Sequence, residues 1–137
     1  MANVLDMQIA EEGPRNAIVK LTGVLDSSDV TEVPAFGLND FANNDQNLVL
    51  TGFRVDGVNY SIQDGINLVL AWNGLPPQQI FPLAGRGKIK NHFGGGWLPD
   101  MTILSYDGSI ILTSNGFQDG NVYVFTLEIF MVKLYRR

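Results

Sequence analysis

A chain of 137 residues with 45% hydrophobic and 17% charged residues has the size of one globular domain and enough apolar content to bury a core without crosslinks. Its net charge of −5 argues against broad nucleic-acid binding, which asks for a basic face. The absence of cysteine excludes disulfides, thiolate catalysis, Fe–S clusters and cysteine-ligated zinc.

No apolar run approaches the ~20 residues of a membrane-spanning helix. The start Met-Ala-Asn-Val-Leu-Asp lacks the basic and apolar segments of a secretory signal, so no membrane partner is expected and the chain should stay where it is made. The low charged fraction suits a surface partly covered by neighbours and equally a weakly charged domain that stands alone.

The dominant pattern is alternation with period two, interrupted by Gly, Asp and Asn turns. Val4 to Ala10 places Leu5, Met7 and Ile9 on one face, and Gly13-Pro14 turns the chain. Asn16 to Leu25 places Ala17, Val19, Leu21 and Leu25 on one side, with Lys20 and Thr22 opposite. Asp26-Ser27-Ser28-Asp29 breaks that strand, because such short polar side chains bond to nearby backbone amides and stabilise corners. Val30 to Asn47 has no period and reads as a long connection with room for one short edge strand around Pro34. Phe36, Leu38 and Phe41 are positioned to pin it to the core.

Leu48 to Val55 and Val58 to Ile62 read as a hairpin across Asp56-Gly57, which begins a meander. After the turn Gln63-Asp64-Gly65, Ile66 to Trp72 alternates with Ile66, Leu68, Leu70 and Trp72 on one face. Gln79 to Ala84 contains Pro82, which favours a sheet edge. Gly85 to Gly96 reads as a second irregular region, though Arg86, Lys88 and Lys90 alternate as on one face of a short strand. Met101 to Tyr106 is a possible short strand, Asp107-Gly108 a turn, and Ser109 to Ser114 a strand. Asn121 to Leu134 is the longest strand, with Tyr123, Phe125, Leu127, Ile129 and Met131 on one face. Its other face carries Phe130 and Val132, so this doubly apolar strand reads either as a central strand covered on both faces or, the preferred reading, as one whose far end projects beyond the fold and packs on a neighbouring subunit. The expectation is therefore an all-β fold: one domain over residues 1–137, a two-sheet, jelly-roll-like β-sandwich of about eight strands with little or no helix.

The block Gly13 to Val30, GPRNAIVKLTGVLDSSDV, resembles the N-terminal signature of a family of small tailed-bacteriophage proteins that reads "DGPRN-VVKL-GVLDTSD". Tyr60-Ser61-Ile62, Gly85-Arg86-Gly87 and the final long strand are similar too, while Glu12 stands where the family more often has Asp. Many members are described only as virion structural proteins. The resemblance implies a particle component, made in the host cytoplasm and carried in the virion, and the signature itself carries no chemistry.

Catalytic and cofactor chemistry find no pattern. His92 is the only histidine, and a histidine metal site needs several convergent ligands. No Gly-x-Ser-x-Gly elbow accompanies the Ser and Asp residues. Gly85-Arg86-Gly87-Lys88 fails as a phosphate loop, since Pro82 stands where the first glycine belongs and Ile89 where a hydroxyl is required. Asp26, Asp29, Asp56, Asp64, Asp107 and Asp119 lie in turns, and no calcium-loop spacing occurs; a sheet-borne glycosidase pair would leave no local signature.

No catalytic residue, metal or cofactor is expected, and the chain is read as a non-enzyme. The expected role is contact: a capsid decoration (cement) protein that binds the outside of the head and bridges major capsid protein subunits as a dimer or trimer. Its candidate contact residues are Arg86, Lys88, Lys90, His92, Phe93, Trp97, Phe130 and Val132. Arg86, Lys88 and Lys90 read equally as a docking row for a carboxylate-rich partner or as a solvated edge that blocks aggregation. Alternatives are a neck, tail or fibre-associated protein, or a carbohydrate-binding module using Trp72, Trp97 or Tyr123 as exposed rings.

Overall fold

The computed structural model describes residues 3–41, 49–74, 76–90 and 108–136. Period-two alternation emerges as nine strands among them: β1 (Val4–Glu12), β2 (Asn16–Leu25), β3 (Val33–Phe36), β4 (Val49–Ile62), β5 (Asn67–Trp72), β6 (Gln78–Leu83), β7 (Arg86–Lys90), β8 (Ile110–Asn115) and β9 (Tyr123–Arg136). One short 3-10 turn, Leu38–Asp40, is the only helical element among the described residues.

The strands form a five-stranded sheet in the order β1-β2-β9-β4-β7 and a four-stranded sheet in the order β3-β8-β5-β6. Every pairing is antiparallel. Strands β2 to β9 thus follow jelly-roll order, 2-9-4-7 in one sheet and 3-8-5-6 in the other, with β1 added beside β2. Each strand has one strongly apolar face, and two sheets are needed to cover those faces. The core takes Val19, Leu21 and Leu25 from β2, Phe125, Leu127 and Ile129 from β9, and Leu68, Leu70 and Trp72 from β5. Phe36, Phe41 and Phe53 close one end with edge-to-face ring contacts of 4.9–6.0 Å. The pinning role read for Phe36 and Phe41 is therefore correct. Pro34 and Pro82 both lie on edge strands, where proline is tolerated.

The signature block is a set of anchors. Gly13 N–H donates to the Asn16 carbonyl at 2.8 Å, and the Tyr135 hydroxyl donates to the Pro14 carbonyl at 2.7 Å. At the other end the Asn3 side-chain oxygen accepts from the Asp26 and Ser27 amides. Asp29 reaches the second sheet, accepting from the Ser114 hydroxyl at 2.9 Å and from the Phe117 amide. Ser114 Oγ in turn accepts from the Val30 amide at 2.9 Å. The corner that leaves β2 is thereby tied to the end of β8.

Four expectations are corrected. Asp56-Gly57 is not a hairpin, because β4 runs through it as one 14-residue strand. A bulge between Val55 and Gly57 absorbs the extra residue, and Arg54 Nε donates to Asp56 Oδ1 across it at 2.9 Å. Gly is required there since a Cβ would stand 2.8 Å from the Ile89 carbonyl oxygen. Second, the region from Leu48 is not a meander, since the chain changes sheet at every connection except β1–β2 and β5–β6. Third, Arg86–Lys90 is a strand, paired with Gly57–Ser61 of β4, and not part of an irregular connection.

Fourth, β9 does not project beyond the fold. It is the middle strand of its sheet, with β4 paired as far as Arg136. Its length is used by two long neighbours, each of which needs a hydrogen-bonding partner. The expected strand at Met101–Tyr106, Asp107 of the expected turn and the polar run after Phe41 lie outside the described residues.

Candidate contact face

The outer face of the five-stranded sheet sets out side chains that the core does not consume. Register fixes their rows. One row reads Asp6, Thr22, Thr126, Ser61, Arg86 from β1 to β7. The next reads Gln8, Lys20, Glu128, Asn59, Lys88, and the third reads Glu11, Ile18, Phe130, Gly57, Lys90. Beyond the third row Val132 stands between Asn16 and Arg54. At the opposite end Val4, Val24 and Val124 form an apolar row across three strands, with Val4 56% and Val124 49% exposed.

Five of the eight expected contact residues meet here. Arg86, Lys88 and Lys90 are exposed on β7, and half-buried Phe130 and Val132 lie on the same face. Phe130 and Lys90 flank Gly57 from its two sides. An apolar groove of about 340 Å³ lies beside Gly57, lined by Asp56, Asn59, Lys88, Lys90 and Phe130 among others. None of Arg86, Lys88 and Lys90 makes an ion pair with a described residue. His92, Phe93 and Trp97 lie outside the described residues.

A second opening, of about 610 Å³, lies at the turn after β4 and is lined by Ser61, Gln63, Asp64, Arg86 and Thr126 among others. Its most versatile polar group is already engaged. Gln63 donates through Nε2 to the Val122 carbonyl and accepts through Oε1 from the Val124 amide.

Two of the three rings expected to stack on sugar are also engaged, while Trp97 lies outside the described residues. Trp72 is 1% and Tyr123 5% exposed, and Tyr123 packs edge to face on Phe117 at 5.6 Å. Among the described residues no group of His, Asp and Glu could hold a metal ion.

Two features of this sheet escaped the sequence. The first is its acidic edge: Asp6 and Glu11 of β1 occupy the same rows as the cations of β7. Alternation in β1 places Asp6 outward, but the bulge between Ile9 and Glu11 was needed to bring Glu11 to that face. The second is the pair Lys133–Glu12, Nζ to Oε2 2.6 Å, in which the lysine side chain is 0% and the glutamate side chain 22% exposed. Only the pairing of distant strands brings these two together.

No family model and no curated protein matches the chain. A solved structure described as "CBM4 structure and function", a carbohydrate-binding module, is similar over 97% of this chain and 95% of its own, at 10% identity and a TM-score of 0.35. The jelly-roll assignment rests on the strand order and register given above.

Proposed function

We propose that this chain is a contact protein of a phage virion, and in its most concrete form a capsid decoration protein that docks on the head through the outer face of its five-stranded sheet. The observation that carries this reading is the groove at Gly57, where the apolar ring of Phe130 stands beside Lys88 and Lys90. An apolar centre with a charged rim is the anatomy of a protein–protein contact. The resemblance of Gly13–Val30 to phage virion proteins supplies the particle. The burial of Trp72 and Tyr123 and the engagement of Gln63 favour protein contact over sugar recognition, because stacking needs an open ring face.

Bridging of neighbouring capsid subunits would stabilise the shell by adding buried interface at each junction. The test is occupancy on heads assembled without this protein. Wild type is expected at hundreds of copies per head, whereas six or twelve copies, or recovery with isolated tails, would instead place it at a neck or tail. Phe130→Ser should weaken head binding by roughly 30-fold, the equivalent of about 2 kcal/mol for a central contact residue. Undiminished occupancy of that variant would remove the groove from the interface.

A further inference from the structure

The two edges of the five-stranded sheet carry opposite charge in matching rows. Edge strand β1 presents Asp6, Gln8 and Glu11 on the outer face, and edge strand β7 presents Arg86, Lys88 and Lys90. Tracing partners across the sheet puts Asp6 in the row of Arg86, Gln8 in the row of Lys88 and Glu11 in the row of Lys90. The four successive pairings from β1 to β7 are all antiparallel, so β1 and β7 run in the same direction. Asp6, Glu11, Arg86, Lys88 and Lys90 make no ion pair with a described residue. Glu12 is different, because it turns to the opposite face and pairs with Lys133.

We propose that β7 of one copy pairs in parallel with β1 of a second copy, continuing the five-stranded sheet from subunit to subunit and setting Arg86 against Asp6 and Lys90 against Glu11 of the neighbour. Simple lateral repetition of the sheet, without a shift along the strands, brings these charges into the same rows. Rows on one face repeat about every 6.6–6.8 Å along a strand, and paired strands lie about 4.8 Å apart, within reach of these side chains. The same charges reject the other edge pairings. β7 against β7 would oppose cations, and β1 against β1 would oppose carboxylates, each of which is destabilising. A lysine-bearing edge that blocks unwanted sheet growth therefore admits one partner, the acidic edge of its own kind.

The contact is heterologous, so a pair of subunits keeps one open β1 and one open β7. Assembly is expected to pass beyond the dimer, closing to a ring or running on. This deepens the contact reading by naming the neighbour of one edge. It is measured on the isolated chain without heads, so failure here leaves head binding standing, and failure of head binding leaves this pairing standing.

The experiment is sedimentation of the full-length chain over a concentration series, in dilute buffer and in molar salt. Wild type should form trimers or larger species that dissociate in salt, since exposed ion pairs are screened. R86E/K90E and D6K/E11K should each be monomeric under conditions where wild type assembles, a weakening of at least about tenfold. Mixed together, the two variants restore complementary edges and should assemble, which also shows that both are folded. A wild type that stays monomeric, that stops at a dimer, or that assembles undiminished with either charge-reversed edge overturns the proposal. So does a mixture that fails to assemble while both variants retain the circular dichroism of wild type.

Discussion

Single residues in this protein act through what faces them across a strand pair. Gly23 lies opposite Phe125, and a Cβ at Gly23 would stand 2.1 Å from the ring. The ring thus fills the place where an inward side chain of β2 would be. Gly23→Ala should destabilise the fold by about 1–3 kcal/mol through overpacking, read from urea unfolding. Phe125→Leu in the same chain should recover part of that loss in a double-mutant cycle, whereas additive effects would show that the ring is not the obstacle.

Lys133 and Glu12 give a second, asymmetric case. The lysine end is fully buried and the glutamate end is partly wet. Glu12→Gln withdraws the compensating charge from a buried ammonium and should cost up to about 3 kcal/mol. Lys133→Met removes the buried charge itself while keeping the packed stem, and should cost less. The reverse order in a denaturation series would contradict this burial argument. Neither effect is visible in the sequence, because each depends on a residue from a strand far along the chain.

At the level of elements, bulges and corners decide where strands begin and end. Asp56-Gly57 has the composition of a hairpin turn, and local chemistry alone selects that reading. In the fold, β9 offers a continuous partner edge on one side and β7 on the other, and long-range pairing overrides the turn preference. Gly57→Ala should therefore loosen β7, since the new methyl meets the Ile89 carbonyl at 2.8 Å. Amides of Arg86–Lys90 should lose hydrogen-exchange protection before those of β2 and β9 do. Equal loss across the sheet would mean that β7 is not separately hinged on this bulge. The Asp-Ser-Ser-Asp corner was legible as a corner, but its hold on the other sheet was not. Ser114 is buried and bridges Asp29 to the Val30 amide. Ser114→Ala should cost about 0.5–1.5 kcal/mol by removing the two hydrogen bonds that tie the corner to β8.

For the whole molecule, alternation translated into architecture with few losses. Circular dichroism should show strand with very little helix, as the element content requires. Phe125→Ala or Leu127→Ala should cost about 2–5 kcal/mol, because both lie at the centre of the core. A change below about 0.5 kcal/mol, the surface range, would place those side chains outside it.

By itself the sequence determined the all-β class, the inward faces of β2, β5 and β9, the edge placement of Pro34 and Pro82, and the exposed cationic row on β7. These are local properties, because period two assigns a residue to a face whatever strand lies beside it. The tertiary structure alone decided that β4 is one strand, that Glu12 meets Lys133, and that Phe130 lines a groove beside Lys88 and Lys90. It alone placed Asp6 and Glu11 in the rows of Arg86 and Lys90. Those are matters of register between segments far apart in the chain, and register is set by which strands pair and where bulges fall, information that no local window of the sequence contains.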